Sequence, residues 1–271
     1  MKFKNVLVTG GSSGIGLDLA KAYAAQGANV VLLARNQGRL DAAVKECLTQ
    51  CLTADQKVIA FSVDVGDADA LSATVESVKE QMGPLDLMIL SAGIVQSVRF
   101  MEQSDEDFNN IMHTNVVGSR AVAKAFLPDM MKQGKGQVCF VSSLGGLIAT
   151  YGYSAYSASK FAVIGMAGAL RQELHASGVG VSVLCPPEVD TPMVAKEADH
   201  ILPETRFVKD IGGLLSTATV TKATVKGVNK NQFIIVPGVM GKLSYMQARY
   251  MPNVFGWFMQ KLVGLAGRFV K

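Results

Sequence analysis

The sequence predicts an α/β fold: one doubly wound parallel sheet with helices on both faces. Short runs rich in Val, Ile and Leu alternate with longer stretches of helical periodicity, and most of these runs are apolar at every position. Strands with this pattern are buried on both faces, as in a parallel sheet that is covered on both sides. No linker, low-complexity tract or repeat divides the 271 residues, so we expect one large domain.

The predicted strands and helices alternate along most of the chain. Strands are predicted at 5–9, 29–34, 57–63, 85–91, 136–142, 180–185 and 232–236. Helices are predicted at roughly 15–26, 37–51, 67–82, 105–133, 154–177 and 217–229. In a sheet of this kind ligands bind beyond the carboxyl ends of the strands, so the loops that follow the strands are the place to look for a site.

The first predicted strand ends in a glycine-rich turn, "TGGSSGIG" at residues 9–16. Gly10, Gly14 and Gly16 follow that strand and precede a predicted helix. Glycines permit a tight turn and close approach of the backbone to a ligand, while free N–H groups at a helix start attract an anion. No Lys-Ser or Lys-Thr pair follows, which disfavours a P-loop. The turn predicts the nucleotide-binding loop of a Rossmann-type fold; the alternative is an ordinary glycine-rich turn.

Two arginines stand where the ribose of a bound dinucleotide would lie. An NAD site presents a carboxylate to the 2′-hydroxyl about twenty residues after the glycines, whereas an arginine there accommodates the 2′-phosphate of NADP. Arg35 takes that position, Arg39 follows one turn later, and no carboxylate occurs between Asp18 and Asp41. The guanidinium groups and the Ser12 hydroxyl suit a phosphate. The pattern predicts NADPH; the alternative is that both arginines are solvated surface charges.

A tyrosine and a lysine within "YGYSAYSASK", residues 151–160, have the spacing of two groups on one helix face. Side chains four residues apart share a face, and only Tyr156 has a cation at that spacing, Lys160. A nearby ammonium lowers the pKa of a phenol and makes it a better proton donor near neutral pH. Tyr156 is therefore the candidate acid, while Tyr151 and Tyr153 are expected to line the pocket or a loop.

Five motifs together resemble the short-chain dehydrogenase/reductase family, from residue 4 to about residue 237. They are "TGGSSGIG" at 9–16, "VDV" at 63–65, Asn115 in "HTNVVGS", "VSSLGG" at 141–146 and "YSASK" at 156–160. The resemblance implies an NADP-dependent oxidoreductase with the catalytic residues Asn115, Ser143, Tyr156 and Lys160. Ser143 is preferred to Ser142 because it precedes Tyr156 by thirteen residues, which is the family's spacing. The resemblance also implies that the lysine holds the nicotinamide ribose and that the asparagine holds a proton-relaying water.

The resemblance extends the expected cofactor site beyond the glycine-rich turn. Asp64 matches the carboxylate that meets the adenine, and Val189 and Thr191 match the residues that hold the nicotinamide carboxamide. The full expected set is Gly10, Ser12, Ser13, Gly14, Ile15, Gly16, Arg35, Arg39, Asp64, Val65, Ala92, Gly93, Tyr156, Lys160, Val189 and Thr191. The chain departs from the family pattern at "LSAG", 90–93, where we expect only a changed local hydrogen bond.

A second departure, "CPPEVDTP" at 185–192, narrows the resemblance to one subfamily. Together with "LPETR" at 202–206 it resembles the 3-ketodihydrosphingosine reductases. This implies NADPH-dependent reduction of 3-ketodihydrosphingosine to dihydrosphingosine in sphingolipid synthesis. The segment near 187–216 is rich in apolar residues and is expected to cover the nicotinamide pocket as a lid, which suits a long-chain substrate. An ordinary amphipathic helix packed on the body is the alternative for this segment.

Two other functions compete with this prediction. One is the reduction of another hydrophobic ketone, of steroid or 3-ketoacyl type. The other is a non-catalytic dinucleotide-binding sensor, which the complete set of Ser143, Tyr156 and Lys160 disfavours.

By resemblance we also expect a homodimer formed through the long helices near 105–133 and 154–177.

The last part of the chain is basic and amphipathic. Residues 211–271 carry eight Lys or Arg and no acid, whereas residues 1–210 have a net charge of −4. We expect residues 1–240 to form the catalytic domain and residues 241–271 to form a tail. The apolar positions of the tail fall on one helix face and predict peripheral contact with a membrane surface, packing on the body being the alternative. They are Phe255, Phe258, Met259, Leu262, Val263, Ala266, Phe269 and Val270.

The composition limits the compartments in which the protein is expected and the ligands that it is expected to bind. The N-terminus enters a strand pattern directly, and the four cysteines are scattered over predicted helices and strands, as in a reducing compartment. We therefore expect a cytoplasmic protein with peripheral membrane contact. The three scattered histidines form no metal-ligand pattern, and we expect neither a metal nor a nucleic acid as a ligand.

Overall fold

One parallel sheet forms the centre of the protein. The computed structural model describes residues 2–269, with side chains up to residue 267. The strands are β1 (Asn5–Thr9), β2 (Asn29–Ala34), β3 (Val58–Ser62), β4 (Leu87–Leu90), β5 (Gly136–Val141), β6 (Val179–Leu184) and β7 (Ile234–Ile235). Their order is β3-β2-β1-β4-β5-β6-β7, and every neighbouring pair is parallel. This confirms the predicted doubly wound α/β fold, in which winding reverses between β1 and β4 and opens a crevice at their carboxyl ends.

Helices flank the sheet, and two more helices follow its last strand. They are α1 (Gly14–Ala24), α2 (Gln37–Leu48), α3 (Ala68–Met82), α4 (Asp105–Met112), α5 (Ser119–Gln133), α6 (Ser154–Glu173), α7 (Pro192–Glu197), α8 (Pro203–Gly212), α9 (Thr217–Asn229), α10 (Val239–Tyr250) and α11 (Pro252–Phe269). The single helix predicted over 105–133 is divided by a π-helical turn, His113–Gly118. Such turns insert a residue into a helix and frequently occur at functional sites.

The core lies in two layers, one on each face of the sheet. Leu7 of β1 packs in the layer that contains Phe126 of α5, whereas its neighbours Val6 and Val8 pack in the layer that contains Leu19 of α1. Successive strand residues point to opposite faces, so a strand between two layers must be apolar throughout. This burial is the physical reason for the uniformly apolar runs, and it gives a rigid base to the loops at the strand ends.

The last two helices pack against the segment after β6. α11 lies against α8 and α10. Most of the predicted apolar stripe of the tail is half-buried along α11, and Ala266 is buried, but Phe258 is 48% exposed. The stripe therefore packs largely on the body instead of facing outwards as a whole. Val270 and Lys271, and the side chains of Arg268 and Phe269, lie outside the described residues.

Candidate active site

The glycine-rich turn forms a close-packed cradle at the end of β1. Gly10 has a φ of +64°, and a Cβ at this position would lie 2.9 Å from the carbonyl oxygen of Ser91. A Cβ on Gly16 would clash with the carbonyl oxygen of Gly10, and one on Gly14 would lie 3.2 Å from Cγ2 of Thr191. Only glycine fits these positions, and the backbone of the turn is left open to a ligand. The cradle thus fits the pyrophosphate of a dinucleotide.

The start of α1 supplies donors to that cradle. Ser13 precedes the helix in extended backbone, and its side chain makes no capping hydrogen bond. The N–H groups around Ser12, Ser13 and Ile15 therefore remain available to an anion at the positive end of the helix dipole. This is the arrangement that a phosphate group would need.

Arg35 and Asp64 meet at the ends of β2 and β3. Nη1 of Arg35 lies 3.7 Å from Oδ2 of Asp64, and both side chains are substantially exposed. The other carboxylate oxygen of Asp64 accepts a hydrogen bond from the N–H of Gly66. Arg39 is exposed in the first turn of α2, and Val65 is buried beside Asp64. The structure therefore brings the residues expected at the adenosine and the 2′-phosphate to one edge of the crevice.

The opposite part of the crevice gathers the residues expected around the nicotinamide. The N–H of Ala92 donates to Oγ1 of Thr9, which joins the ends of β1 and β4. Val189 is buried, and Thr191 caps α7 by accepting from the N–H of Val194. Gly93 follows Ala92 and lies directly beside two of the predicted catalytic residues.

Asn115 and Lys160 converge on Gly93. A Cβ on Gly93 would lie 3.1 Å from Oδ1 of Asn115 and 3.4 Å from Nζ of Lys160. The Asn115 amide, in the π-helical turn, exchanges two hydrogen bonds with the backbone of Ile94 and donates to Oγ of Ser159. Both polar ends of the amide are therefore fixed. This geometry holds the amide in one orientation beside the lysine.

Ser143 and Tyr156 both lie next to Gly145. A Cβ on Gly145 would lie 3.4 Å from Oγ of Ser143 and 3.5 Å from the Tyr156 ring. The neighbouring serine, Ser142, is buried, and its hydroxyl donates to the carbonyl oxygen of Lys160. Ser142 is thus a structural residue, whereas the hydroxyl of Ser143 lies beside the tyrosine. All four predicted catalytic residues are therefore brought together at the carboxyl ends of β4 and β5.

The pKa of Tyr156 differs from the prediction. The spacing of Lys160 predicts a lowered pKa for Tyr156. In the structure, removal of the phenol from water raises the pKa of Tyr156 to about 12, although a hydrogen bond with the Ser143 hydroxyl lowers it in part. Nζ of Lys160 lies 5.6 Å from the centre of the Tyr156 ring and donates to the carbonyl oxygen of Val141. Burial lowers the pKa of Lys160 itself to about 8. The prediction is wrong for the protein alone because burial is the largest influence on the phenol and raises its pKa.

Sequence reasoning missed several supporting residues. Thr9 accepts a hydrogen bond from the N–H of Ala92, and Ser159 accepts one from the side chain of Asn115. Both residues lie inside motifs already singled out, "TGG" and "SASK", and that position was the signal that could have identified them. It also missed the carboxylate next to Tyr153, whose hydroxyl donates to Oε1 of Glu197 at 2.6 Å. Nothing in the local sequence pairs these two residues, since they are 44 positions apart.

Comparison with known proteins identifies the family. The short chain dehydrogenase family matches residues 4–201. A 3-ketodihydrosphingosine reductase of Bos taurus is 36% identical over 230 residues, which is 84% of this chain and 69% of the relative. A 3-dehydrosphinganine reductase of Arabidopsis thaliana is 36% identical over 246 residues, covering 90% and 72% of the two chains.

A solved structure shows the same fold. An actinorhodin polyketide ketoreductase, crystallised with NADPH, superposes with a TM-score of 0.80 at 28% identity, over 88% of this chain and 97% of its own. The chain belongs to the short-chain dehydrogenase/reductase family.

Proposed function

We propose that the protein is an NADPH-dependent reductase that converts 3-ketodihydrosphingosine to dihydrosphingosine in sphingolipid synthesis. The observation that carries the proposal is the convergence of Asn115, Ser143, Tyr156 and Lys160 around Gly93 and Gly145 at the mouth of the dinucleotide crevice. The similarity to reductases named for this substrate in cattle and in a plant supports the choice of ketone.

The chain's own residues can serve each part of the reduction. The nicotinamide, when bound, supplies the hydride. Negative charge then builds on the carbonyl oxygen of the ketone, where the Ser143 hydroxyl donates a hydrogen bond and the Tyr156 hydroxyl donates a proton. The Lys160 ammonium stabilises the phenolate that this transfer leaves. Lys160 then passes a proton to this phenolate, and Asn115, with its amide held by Ile94 and Ser159, positions the water that returns a proton to Lys160.

The choice of NADPH over NADH rests on the edge of the crevice. Arg35 lies at the end of β2, where an NAD enzyme has a carboxylate, and Arg39 is exposed one turn away. The carboxylate of Asp64 is already paired with Arg35 and bonded to the N–H of Gly66. A 2′-phosphate would meet two guanidinium groups at this edge.

The lid, residues 187–216, supports a long-chain substrate. It comprises α7 and α8 with their connecting loops. Four of its apolar side chains, Val194, Ile201, Leu202 and Phe207, are half-buried, whereas Met193, Ile211 and Leu214 are exposed. Leu202 reaches back towards Gly152, just before the catalytic helix α6. An apolar lid beside Tyr156 would favour an alkyl chain over a small polar ketone.

Activity on a panel of ketones tests the proposal. 3-Ketodihydrosphingosine, a steroid ketone and a 3-ketoacyl thioester would each be assayed with NADPH and with NADH. We expect the highest kcat/KM for 3-ketodihydrosphingosine with NADPH. Faster reduction of the 3-ketoacyl thioester would favour the alternative that the polyketide ketoreductase likeness supports. Nucleotide binding without reduction of any ketone would favour a sensor.

We further propose that the helix pair α10–α11, in the tail, contacts an anionic membrane surface. Many outward side chains of this pair are large and apolar; they are Val239, Met240, Leu243, Met246, Tyr250, Met251, Val254, Trp257, Phe258 and Leu265. Lys242, Arg249 and Lys261 are exposed among them, and residues 211–271 contain no acid. Apolar side chains with neighbouring cations and no anion suit a surface of anionic lipids. No helix in the described chain is long and apolar enough to cross a bilayer.

Liposome co-sedimentation of the full chain tests this contact. We expect binding to vesicles that contain anionic lipid at low salt, and weaker binding at high salt. Replacing Trp257 and Phe258 together by Ser should release the protein, whereas Leu52→Ser, at another exposed apolar position, should not. Recovery of the unmodified protein in the supernatant at low salt would show that the tail only packs on the lid.

The long helices also expose apolar side chains that a homodimer would bury. α4–α6 and the turn between α4 and α5 expose the apolar side chains of Phe108, Val117, Met131 and Phe161. Burying them against a second copy would remove apolar surface from water. Light scattering after size exclusion should give twice the chain mass, and a single chain mass at micromolar concentration would refute the dimer.

A further inference from the structure

A buried ion network lies beneath the lid next to the catalytic tyrosine. We call it the lid ion network; its charged members are Glu188, Glu197, Arg206, Lys209 and Asp210. The side chains of Glu188 and Glu197 are only 3% and 6% exposed, respectively. Carboxylates so removed from water are costly unless each has a partner, so their presence beside an active site requires an explanation.

Glu188 is fully engaged within this network. Its two oxygens accept from both terminal nitrogens of Arg206, and Oε1 also lies 2.8 Å from Nζ of Lys209. Although burial opposes it, these hydrogen bonds hold the pKa of Glu188 below its usual value. Glu188 therefore serves to fix α8 of the lid to the loop after β6.

Glu197 is placed differently and keeps capacity for another donor. Its Oε1 accepts from the Tyr153 hydroxyl at 2.6 Å, and its Oε2 accepts from Nζ of Lys209 at 2.9 Å. A carboxylate has about four acceptor positions, so roughly two remain on Glu197 after the bonds that the described residues make. The ring of Tyr153 in turn lies 5.4 Å, centre to centre, from the ring of Tyr156. One tyrosine thus separates this carboxylate from the proton donor.

The two buried carboxylates divide the two cations unequally. Glu188 pairs with both Arg206 and Lys209, whereas Glu197 pairs with Lys209 alone. Asp210, which is 66% exposed, bonds Arg206 from the surface. The negative charge of Glu197 also reaches the reacting hydroxyl, where it is one of the influences, after burial, that raise the pKa of Tyr156. A positive charge bound at Glu197 would cancel that influence and make Tyr156 a better acid.

We infer that Glu197 receives the ammonium group that lies next to the ketone of the substrate. The inference rests on the proposed function, since 3-ketodihydrosphingosine bears a primary amine two bonds from its carbonyl carbon. With the carbonyl oxygen between Ser143 and Tyr156, the protonated amine lies on the side of Tyr153 and donates to the carboxylate of Glu197. Lys209 keeps its bonds to Glu188 and to the Tyr153 hydroxyl. Glu197 is thereby the residue that selects an amino ketone over a plain ketone.

Paired substrates test the inference. The wild-type protein would be assayed with NADPH on 3-ketodihydrosphingosine and on the analogue that has hydrogen in place of the amine. We expect kcat/KM to favour the amine by about 10- to 100-fold, the size of a hydrogen bond between charged groups. Equal kcat/KM for the two ketones would overturn the inference while leaving the proposed function intact. Failure to reduce either ketone would instead overturn the proposed function, and the inference with it.

Variants locate the effect on one carboxylate. Glu197→Gln should lose most of the preference, mainly through a higher KM for the amine. For the analogue kcat/KM should not fall, because that ketone has no ammonium to donate and because removing the negative charge makes Tyr156 a better acid. Glu197→Asp should keep part of the preference. The matched control is Glu204→Gln, another lid glutamate, bound to Arg99. Equal losses on both ketones in Glu197→Gln would show that Glu197 only holds the lid together. If Glu197→Gln does not fold, Glu197→Asp, which keeps the charge, serves for the comparison of the two ketones, and an unchanged preference in that variant would overturn the assignment to Glu197.

Discussion

Nζ of Lys160 lies 5.6 Å from the centre of the Tyr156 ring and donates a 3.0 Å hydrogen bond to the carbonyl oxygen of Val141. The ammonium is thus buried between the catalytic helix and the end of β5, with one backbone oxygen as its partner among the described residues. Burial lowers the pKa of Lys160 from 10.5 to about 8, and removal from water raises the pKa of Tyr156 to about 12. The two groups that carry the proposed chemistry therefore both stand in environments that disfavour their charged forms.

Replacing Lys160 by Met should abolish reduction and yet stabilise the fold at pH 7. The lowered pKa means that holding the charge in the folded protein costs about 3 kcal/mol, and losing the bond to Val141 offsets about 1 kcal/mol of the gain. We expect the free energy of unfolding to rise by about 2 kcal/mol, measured by urea denaturation.

The pH dependence of this difference has a definite sign. Unfolded Lys160 binds its proton up to pH 10.5, whereas folded Lys160 releases it near pH 8, so the cost is fully present below pH 8 and is gone above pH 10.5. The wild-type protein should therefore gain stability relative to Lys160→Met as the pH rises from 8 to 10.5. A variant that is less stable than the wild type at pH 7 would contradict the lowered pKa.

The rate of reduction should fall as Lys160 loses its proton. The pH profile of kcat/KM reports groups in the free enzyme, so we expect a decline above about pH 8. The assay should use the ketone that lacks the amine, because the amine of the full substrate titrates as well. A profile that stays flat up to pH 10 would exclude a protonated Lys160 from the reaction.

Tyr156→Phe should reduce kcat by roughly 10²–10⁴-fold, the usual worth of general acid catalysis. The affinity for NADPH, followed by fluorescence quenching, should change little because the ring still packs. Tyr153→Phe is the matched control, since its ring contacts that of Tyr156 while its hydroxyl bonds Glu197. It should affect KM more than kcat. An equal loss of kcat in both variants would mean that the proton donor was wrongly assigned.

Arg35→Asp should reverse the preference between the two nicotinamide cofactors. The substitution places an anion at the end of β2, next to Asp64, and would repel a 2′-phosphate. We expect kcat/KM for NADPH to fall by about 10- to 100-fold, as for the loss of a charged hydrogen bond. Arg99→Asp, remote from β2 and paired with Glu204, should leave the cofactor preference unchanged. Comparable kcat/KM for both cofactors in the wild type would contradict the assignment of Arg35.

The fold was predictable because its strands are buried on both faces. Uniformly apolar runs located all seven strands. The largest discrepancies are β4 and β7, each three residues shorter than predicted; β7, at the sheet edge, is only Ile234–Ile235 because a single neighbour defines its pairing. The π-helical turn around Asn115 was not predictable, because apolar periodicity is nearly the same across one inserted residue. Whether the predicted stripe of α11 packs on the body or faces outwards was not predictable for a related reason: both faces of that helix are apolar, so the pattern cannot choose between them.

The site was predictable where its residues are close in sequence and unpredictable where the fold joins distant segments. Tyr156 and Lys160 follow from helix geometry, and the glycines follow from the turn that they form. The pairing of Glu197 with Tyr153 depends on how the lid folds back over α6, which no local pattern encodes. The direction of the Tyr156 pKa shift was also missed, since the sequence shows a neighbouring charge but not the loss of water around it.

A product analysis with deuterated cofactor tests the proposed reduction most directly. The full protein would be incubated with 3-ketodihydrosphingosine and NADPH that carries deuterium in place of the transferable hydrogen, and the lipid product would be examined by mass spectrometry. We expect dihydrosphingosine with one deuterium on the former carbonyl carbon, formed by the wild type and lost in Tyr156→Phe. Unchanged substrate with the wild type, or labelled product at an undiminished rate with Tyr156→Phe, would contradict the proposed reduction.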